Sequence, residues 1–179
     1  MVIDMQIQNY GNQHATVDDD DVAENRQYLT FSTGKELFAL GINNIKEILR
    51  NVQLATVPLM PAHMRGVINL RGAVVPVIDL AVLFERAPAE INKRTSVIVL
   101  EIVDEDQLMD IGIMVDAVSA VIEIGAELVE PTPGFGTPVR AEFIEGLAKL
   151  EQGFVIILNA ERTFSLRQMA PDPTLNATQ

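Results

Sequence analysis

Gly66-Val67-Ile68-Asn69-Leu70-Arg71-Gly72-Ala73-Val74-Val75-Pro76-Val77-Ile78-Asp79-Leu80 decides the reading of this chain. Two apolar, β-branched runs flank one Arg-Gly step, the pattern of two antiparallel strands joined by a tight turn. Pro76 lies inside the second run. Proline cannot donate to a ladder, so that strand is expected at a sheet edge or with a bulge. Arg71 is either a solvated turn residue or an arginine folded back onto the body and paired with a carboxylate. Glu47 is the first choice for that carboxylate and Asp79 the second.

The stretch recurs. At a shift of 80 positions, Gly66 meets Gly146, Leu70 meets Leu150, Val75 meets Val155, Asp79 meets Asn159 and Phe84 meets Phe164. Earlier in each half the shift is 73: Leu40 meets Ile113, Ile42 meets Val115, Asn43 meets Asp116, Ile45 meets Val118 and Ile48 meets Val121. The shift grows where the second half carries Glu130–Pro138, a run too rich in proline and glycine for strand or helix. A mainly β protein follows, written twice. Each half is expected to form a small barrel of about five strands with a short helix. A half that size buries too little apolar surface alone, so the two share a core and leave a groove between them.

Around these blocks, Gln27–Ser32 and Glu36–Leu40 read as a hairpin. Ile42, Ile45, Ile48 and Leu49 recur at helical spacing, so a short amphipathic helix is expected there. Gln53–Val57 is expected to be a strand closed by Pro58. Thr95–Val103, Met109–Val115 and Asp116–Ile122 are further strands, and Phe143–Leu150 with Phe154–Leu158 a last hairpin. Leu80–Phe84 is expected to be a helical turn, and 160–170 a helix ending before Pro171. Residues 1–25 read as a flexible acidic tail, 26–170 as the folded body and 171–179 as a second tail.

The 179 residues are 48% hydrophobic but only 5% aromatic, and Trp is absent, so Val, Ile and Leu must build the core. Half of the net charge of −12 belongs to residues 1–25, which hold six acids and no Lys or Arg. A chain of this charge repels phosphate backbones, so no nucleic-acid partner is expected. It has no apolar run long enough for a transmembrane helix and no signal sequence, so a cytoplasmic protein without membrane insertion is expected.

Catalytic and metal chemistry find no foothold. Cys is absent, and His14 and His63 lack further ligands at metal spacing. Asp18–Asp21 lacks the spaced ligands and turn glycine of a calcium loop. No nucleophile elbow, phosphate loop or dinucleotide fingerprint is present. The expectation is a binding module with no catalytic residues, metal or cofactor.

Lys46-Glu47-Ile48-Leu49, then Val57-Pro58, then Pro61 through Gly72, then Val75-Pro76-Val77-Ile78-Asp79-Leu80 resemble the CheW family of chemotaxis coupling proteins. Asp110–Val118 and Phe143–Leu147 extend the resemblance over about residues 26–170. It implies two SH3-like five-stranded β-barrel subdomains and an adaptor without catalysis. The implied partners are the regulatory domain of a CheA-type histidine kinase and the cytoplasmic hairpin tip of chemoreceptors, with recruitment to membrane-associated receptor arrays. It implies a functional surface at Glu47, Val67, Asn69, Arg71, Gly72 and Asp79, with Val115 and Val118 lining the groove. The adaptor half or regulatory-domain fragment of a larger chemotaxis protein, and a coupling protein of a non-flagellar pathway, share these features.

Overall fold

The structure, a computed structural model, describes residues 25–165. The expected acidic tail before Asn25, the second tail over 171–179 and the helix beyond Ser165 lie outside the described residues. The chain opens with the hairpin β1 (Arg26–Thr33) and β2 (Glu36–Gly41), and a 3-10 turn over Ile42–Asn44 leads into β3 (Ile45–Arg50). The quoted stretch is the hairpin β4 (Met64–Leu70) and β5 (Ala73–Asp79), followed by the single-turn helix α1 (Leu80–Leu83). Then come β6 (Ser96–Asp104), β7 (Gln107–Val115), β8 (Ala117–Ile124) and the two-residue β9 (Val129–Glu130). The hairpin β10 (Ile144–Leu150) and β11 (Gly153–Leu158) ends in α2 (Ala160–Phe164).

The strands make two curled sheets, in the orders β8-β1-β2-β11-β10-β9 and β3-β6-β7-β5-β4. The expectation that each half of the chain forms its own barrel is corrected here. The hairpin β1–β2 joins the sheet of the second half, and β6–β7 joins the sheet of the first. Parallel pairing makes both seams: β2 with β11, and β5 with β7. Only the 3-10 turn at Ile42–Asn44 and the single residue Asp116 separate the strands that change sheets. Crossings this short leave no compositional mark.

The repeat itself holds to the level of hydrogen bonds. The register shifts between Met64 and Gly66 and again between Ile144 and Gly146. Asp79 N–H donates to His63 O at 2.7 Å, and Asn159 N–H to Phe143 O at 2.8 Å. Val77 opposes Gly112 across one seam, and Ile157 opposes Ala39 across the other. All of these pairs keep the shifts of 80 and 73.

The expected helix over Ile42–Leu49 is instead the 3-10 turn and β3, and the reason is a bulge. Ile45 opposes Leu100, Glu47 opposes Val99 and Ile48 opposes Ile98, so Lys46 is the extra residue. A bulge turns a period of two into a spacing of three. Ile45 and Ile48 thus share one face, as they would on a helix, and both pack on the core between the sheets. Lys46 donates to Asp110 Oδ1 at 3.0 Å and pairs with Glu101 at 3.2 Å. The hydrogen bonds to Asp110 and then Glu101 raise the Lys46 pKa above the ordinary ammonium value. The equivalent bulge in β8 falls between Ala120 and Val118, leaving Ser119 unpaired.

Three apolar clusters follow. The largest lies between the sheets and joins Phe31, Phe38, Ile98, Ile113, Phe143 and Phe164. Leu49, Ile68, Val75, Val77, Val97 and Met114 fill the inside of one curled sheet, and Tyr28, Ala39, Ile124, Ala148, Val155 and Ile157 fill the other. Burial raises the Tyr28 phenol pKa above its ordinary value.

The expected strand over Gln53–Val57 is reduced to one bridge, Ala55 to Val67. That bridge explains a glycine. Gly66 has φ +147, and a Cβ there would stand 2.5 Å from Ala55 O. Gly146 is blocked instead by the Val129 side chain, whose Cγ1 an added Cβ would meet. Gly66→Ala should cost about 2–4 kcal/mol, because backbone strain and a clash with backbone add. Urea unfolding measures this, and a loss under about 1 kcal/mol would contradict the packing described.

Candidate functional site

The Arg-Gly step closes β4 and β5 as a two-residue turn between Leu70 and Ala73. Arg71 has φ +52 and Gly72 φ +87, and both positive values together mark the hairpin turn that suits twisted strands. Glycine adopts this freely, whereas an arginine there costs about 1 kcal/mol. Asn69 Oδ1 accepts a hydrogen bond from Gly72 N–H at 3.0 Å and offsets part of that cost.

From this turn Arg71 folds back across the mouth of its sheet. Its Nη2 lies 3.0 Å from Glu47 Oε2 on β3. The structure therefore makes the expected pair, though Glu47 comes from a strand and not from a helix. The pair is lopsided: the Arg71 side chain is 78% exposed and that of Glu47 16%. Glu47 is set inward because it follows the bulge and shares the inner face with Leu49. The pair thus leaves guanidinium in solvent and shields the carboxylate.

Strand alternation sorts the hairpin's other residues. Ile68, Val75 and Val77 point inward. Val67 opposes Pro76, and Asn69 opposes Val74, on the outer face. Val74 is 69% exposed, and sequence reasoning missed it as a surface residue. Its place two residues before Pro76 was the available signal. Pro76 fits because the bridge to Ala55 takes the N–H and C=O of Val67, so the Val67–Pro76 pair makes no ladder bonds of its own. The proline nitrogen faces β7, where pairing starts only at Val77.

The second hairpin has the same register, and its outer face is covered only in part, for Phe154, the counterpart of Val74, is 60% exposed. Leu147 and Ile156, the counterparts of Val67 and Pro76, pack on the core between the sheets. Pro133, Thr137 and Pro138 of the Pro/Gly-rich loop face them and Phe154 across a groove of about 410 Å³. That loop is the insertion that lengthens the repeat. Its tip residue Phe135 is exposed. The first hairpin has no such loop; Val74 is exposed beside Arg71, and Val67 and Pro76 are half-buried.

Two of the expected site residues are placed elsewhere. Asp79 is fully buried and serves the fold. Its Oδ1 accepts from Ala81 N–H at 3.0 Å and Val82 N–H at 3.4 Å, capping α1. Its Oδ2 accepts from Ala89 N–H at 3.1 Å and lies 3.6 Å from Arg65 Nη1. A carboxylate with these partners has nothing left to offer a docking protein. Val115 is also fully buried in the shared core, and Val118 packs against it at the edge. The brace from Arg86 was also missed. It donates to Thr33 O at 3.2 Å and to Glu36 Oε2 at 2.7 Å, tying α1 to the first hairpin.

Residues 27–168 match the family of the CheW-like domain. The chain is 32% identical over 140 residues to a probable chemotaxis protein CheW of Rhizobium etli, covering 78% of this chain and 88% of that protein. It is 33% identical over 145 residues to the chemotaxis protein CheW of Klebsiella aerogenes, covering 81% and 85%. The scaffolding protein TtCheW of Thermoanaerobacter tengcongensis shares the fold at a TM-score of 0.68, with 32% identity over 76% of this chain and 90% of that one.

The reassignment of Asp79 makes a stability prediction. Asp79→Ala should cost about 3–5 kcal/mol, because Arg65 and the N–H groups of Ala81, Val82 and Ala89 lose their acceptor. Asp79→Asn should cost clearly less, since Asn159 caps α2 from the equivalent position. Chemical denaturation of both variants checks the order, and equal losses would contradict the cap.

Proposed function

We propose that this chain, which belongs to the CheW-like family, is a non-catalytic adaptor that couples chemoreceptor signalling tips to a CheA-type histidine kinase. The observation that carries the reading is the open first hairpin. It presents the Arg71 guanidinium, the Asn69 amide and the exposed Val74 side chain at one hairpin, with Val67 and Pro76 half-buried beside them. An anchor of this kind suits protein docking, where arginine and exposed apolar groups at a patch centre carry most of the affinity.

In this reading Arg71, Asn69, Gly72, Val67 and Val74 touch a partner, Glu47 orients Arg71 from behind, and Val118 borders the second contact region. Covering Val74 and Pro76 removes apolar surface from water at about 25 cal/mol per Å².

The test is binding to the regulatory domain of the cognate CheA-type kinase and to the cognate receptor tip. Measurable affinity for both is expected, and no binding to either would overturn the reading. Arg71→Ala should weaken binding to one partner by about tenfold or more. It should shift stability by less than about 1 kcal/mol, because the pair is mostly solvated. A folded variant with unchanged affinity for both partners would contradict the role of Arg71.

A further inference from the structure

The bulge at Lys46 decides where Glu47 points. Without the extra residue, every following side chain of β3 would turn to the opposite face of the sheet. Glu47 would then leave the inner face and lose Arg71. The bulge must be held in place, and the two copies hold it by different means.

In the second copy a hydroxyl does so. Ser119 is the extra residue there, and Thr30 opposes the next one, Ala120. Thr30 Oγ1 donates to Ala120 O at 2.9 Å, and Ala120 N–H donates to Thr30 Oγ1 at 3.2 Å. One buried side chain thus satisfies both backbone groups at the irregular step. The first copy has no such hydroxyl. Glu47 is the counterpart of Ala120 at the shift of 73, and the residue opposite it is the fully buried Val99, whose side chain has no polar atom.

Three charges stand there instead. Lys46 Nζ donates to Asp110 Oδ1 at 3.0 Å and to Oδ2 at 3.1 Å, and lies 3.2 Å from Glu101 Oε2. Glu101 on β6 and Asp110 on β7 are direct partners in the ladder. Like charges directly opposite each other destabilise a sheet, so this pair depends on a shared cation. The equivalent places in the second copy hold Ser119, Ser32 and Leu37, and Ser32 and Leu37 are again direct partners. The lysine and both acids are thus present together in one copy and absent together in the other. They are present where the bulge lacks its hydroxyl and carries a glutamate.

We propose that Lys46, clasped by Glu101 and Asp110, is a positioning residue that pins the β3 bulge and so holds Glu47 against Arg71. The consequence for binding rests on the docking role of Arg71, whereas the pin does not. Amide hydrogen exchange of the full chain, with no partner added, reads the bulge by itself. Lys46→Ala should speed exchange over Ile45–Ile48 by about tenfold or more and leave β10 and β11 unmoved. Lys46→Arg should keep the parental rates, because the cation is retained. Lys46→Ala with Val99→Thr should return to them, because the new hydroxyl takes the place that Thr30 holds in the second copy. High salt should speed exchange in the parent, where charges hold the bulge, and not in the rescued variant. Binding to the partner that Arg71→Ala weakens should fall by about threefold or more in Lys46→Ala and recover in the rescued variant. Unchanged exchange in Lys46→Ala, or no recovery with Val99→Thr, would overturn the pin. Recovered exchange without recovered affinity would overturn its tie to Arg71. A parent chain that binds neither partner would overturn the adaptor reading, and exchange would still decide the pin.

Discussion

Two parallel seams hold this protein together. β2 pairs with β11, and β5 with β7, and each seam joins strands from different halves of the chain. Neither curled sheet can close on the strands of one half. The core between the sheets is therefore common property, with Phe31 and Phe38 from the first hairpin packed with Phe143 and Phe164 from the last segment. The seams also explain a difference between the copies. Gly112 stands where an added Cβ would meet Val97 Cγ1 at 2.9 Å and Val77 Cγ2 at 3.0 Å, while its counterpart position holds Ala39.

The exchange of hairpins builds the candidate site. β3 arrives from one crossing and carries Glu47 to the mouth of a sheet whose hairpin tip carries Arg71. Duplication then supplies an internal control. The second hairpin keeps the register and the bulge but has Glu151 and Gln152 at its turn and a loop over its outer face. Arg71 is thus unnecessary for making a hairpin, and its left-handed backbone works slightly against one. What the first copy retains beyond folding is an exposed guanidinium beside the exposed Val74. A protein partner could use both.

Much of this was legible in the sequence. Gly66/Gly146 and Asp79/Asn159 carried the repeat, the pattern of the first hairpin marked the Leu70–Ala73 turn, and Glu47 was the first choice of the two carboxylates offered for Arg71. The misreadings have physical causes. Ile45 and Ile48 mimicked a helix because a bulge at Lys46 shifted the alternation. Asp79 looked like a surface acid, although Asp facing Asn just before a short helix is the mark of a shared N-cap. The barrels were assigned to the wrong halves because the crossings are one to three residues long and are built from ordinary residues.

The central claim is that Arg71 faces a partner and Glu47 only holds it in place. A charge exchange, Glu47→Arg with Arg71→Glu, separates these roles in one protein. It restores an ion pair across the same gap and places the wrong charge at the tip. Stability within about 1 kcal/mol of the parent, with kinase or receptor affinity still reduced by about tenfold, is the predicted result. Parental affinity in the exchanged protein would contradict the claim, because the pair would then be a brace and nothing more.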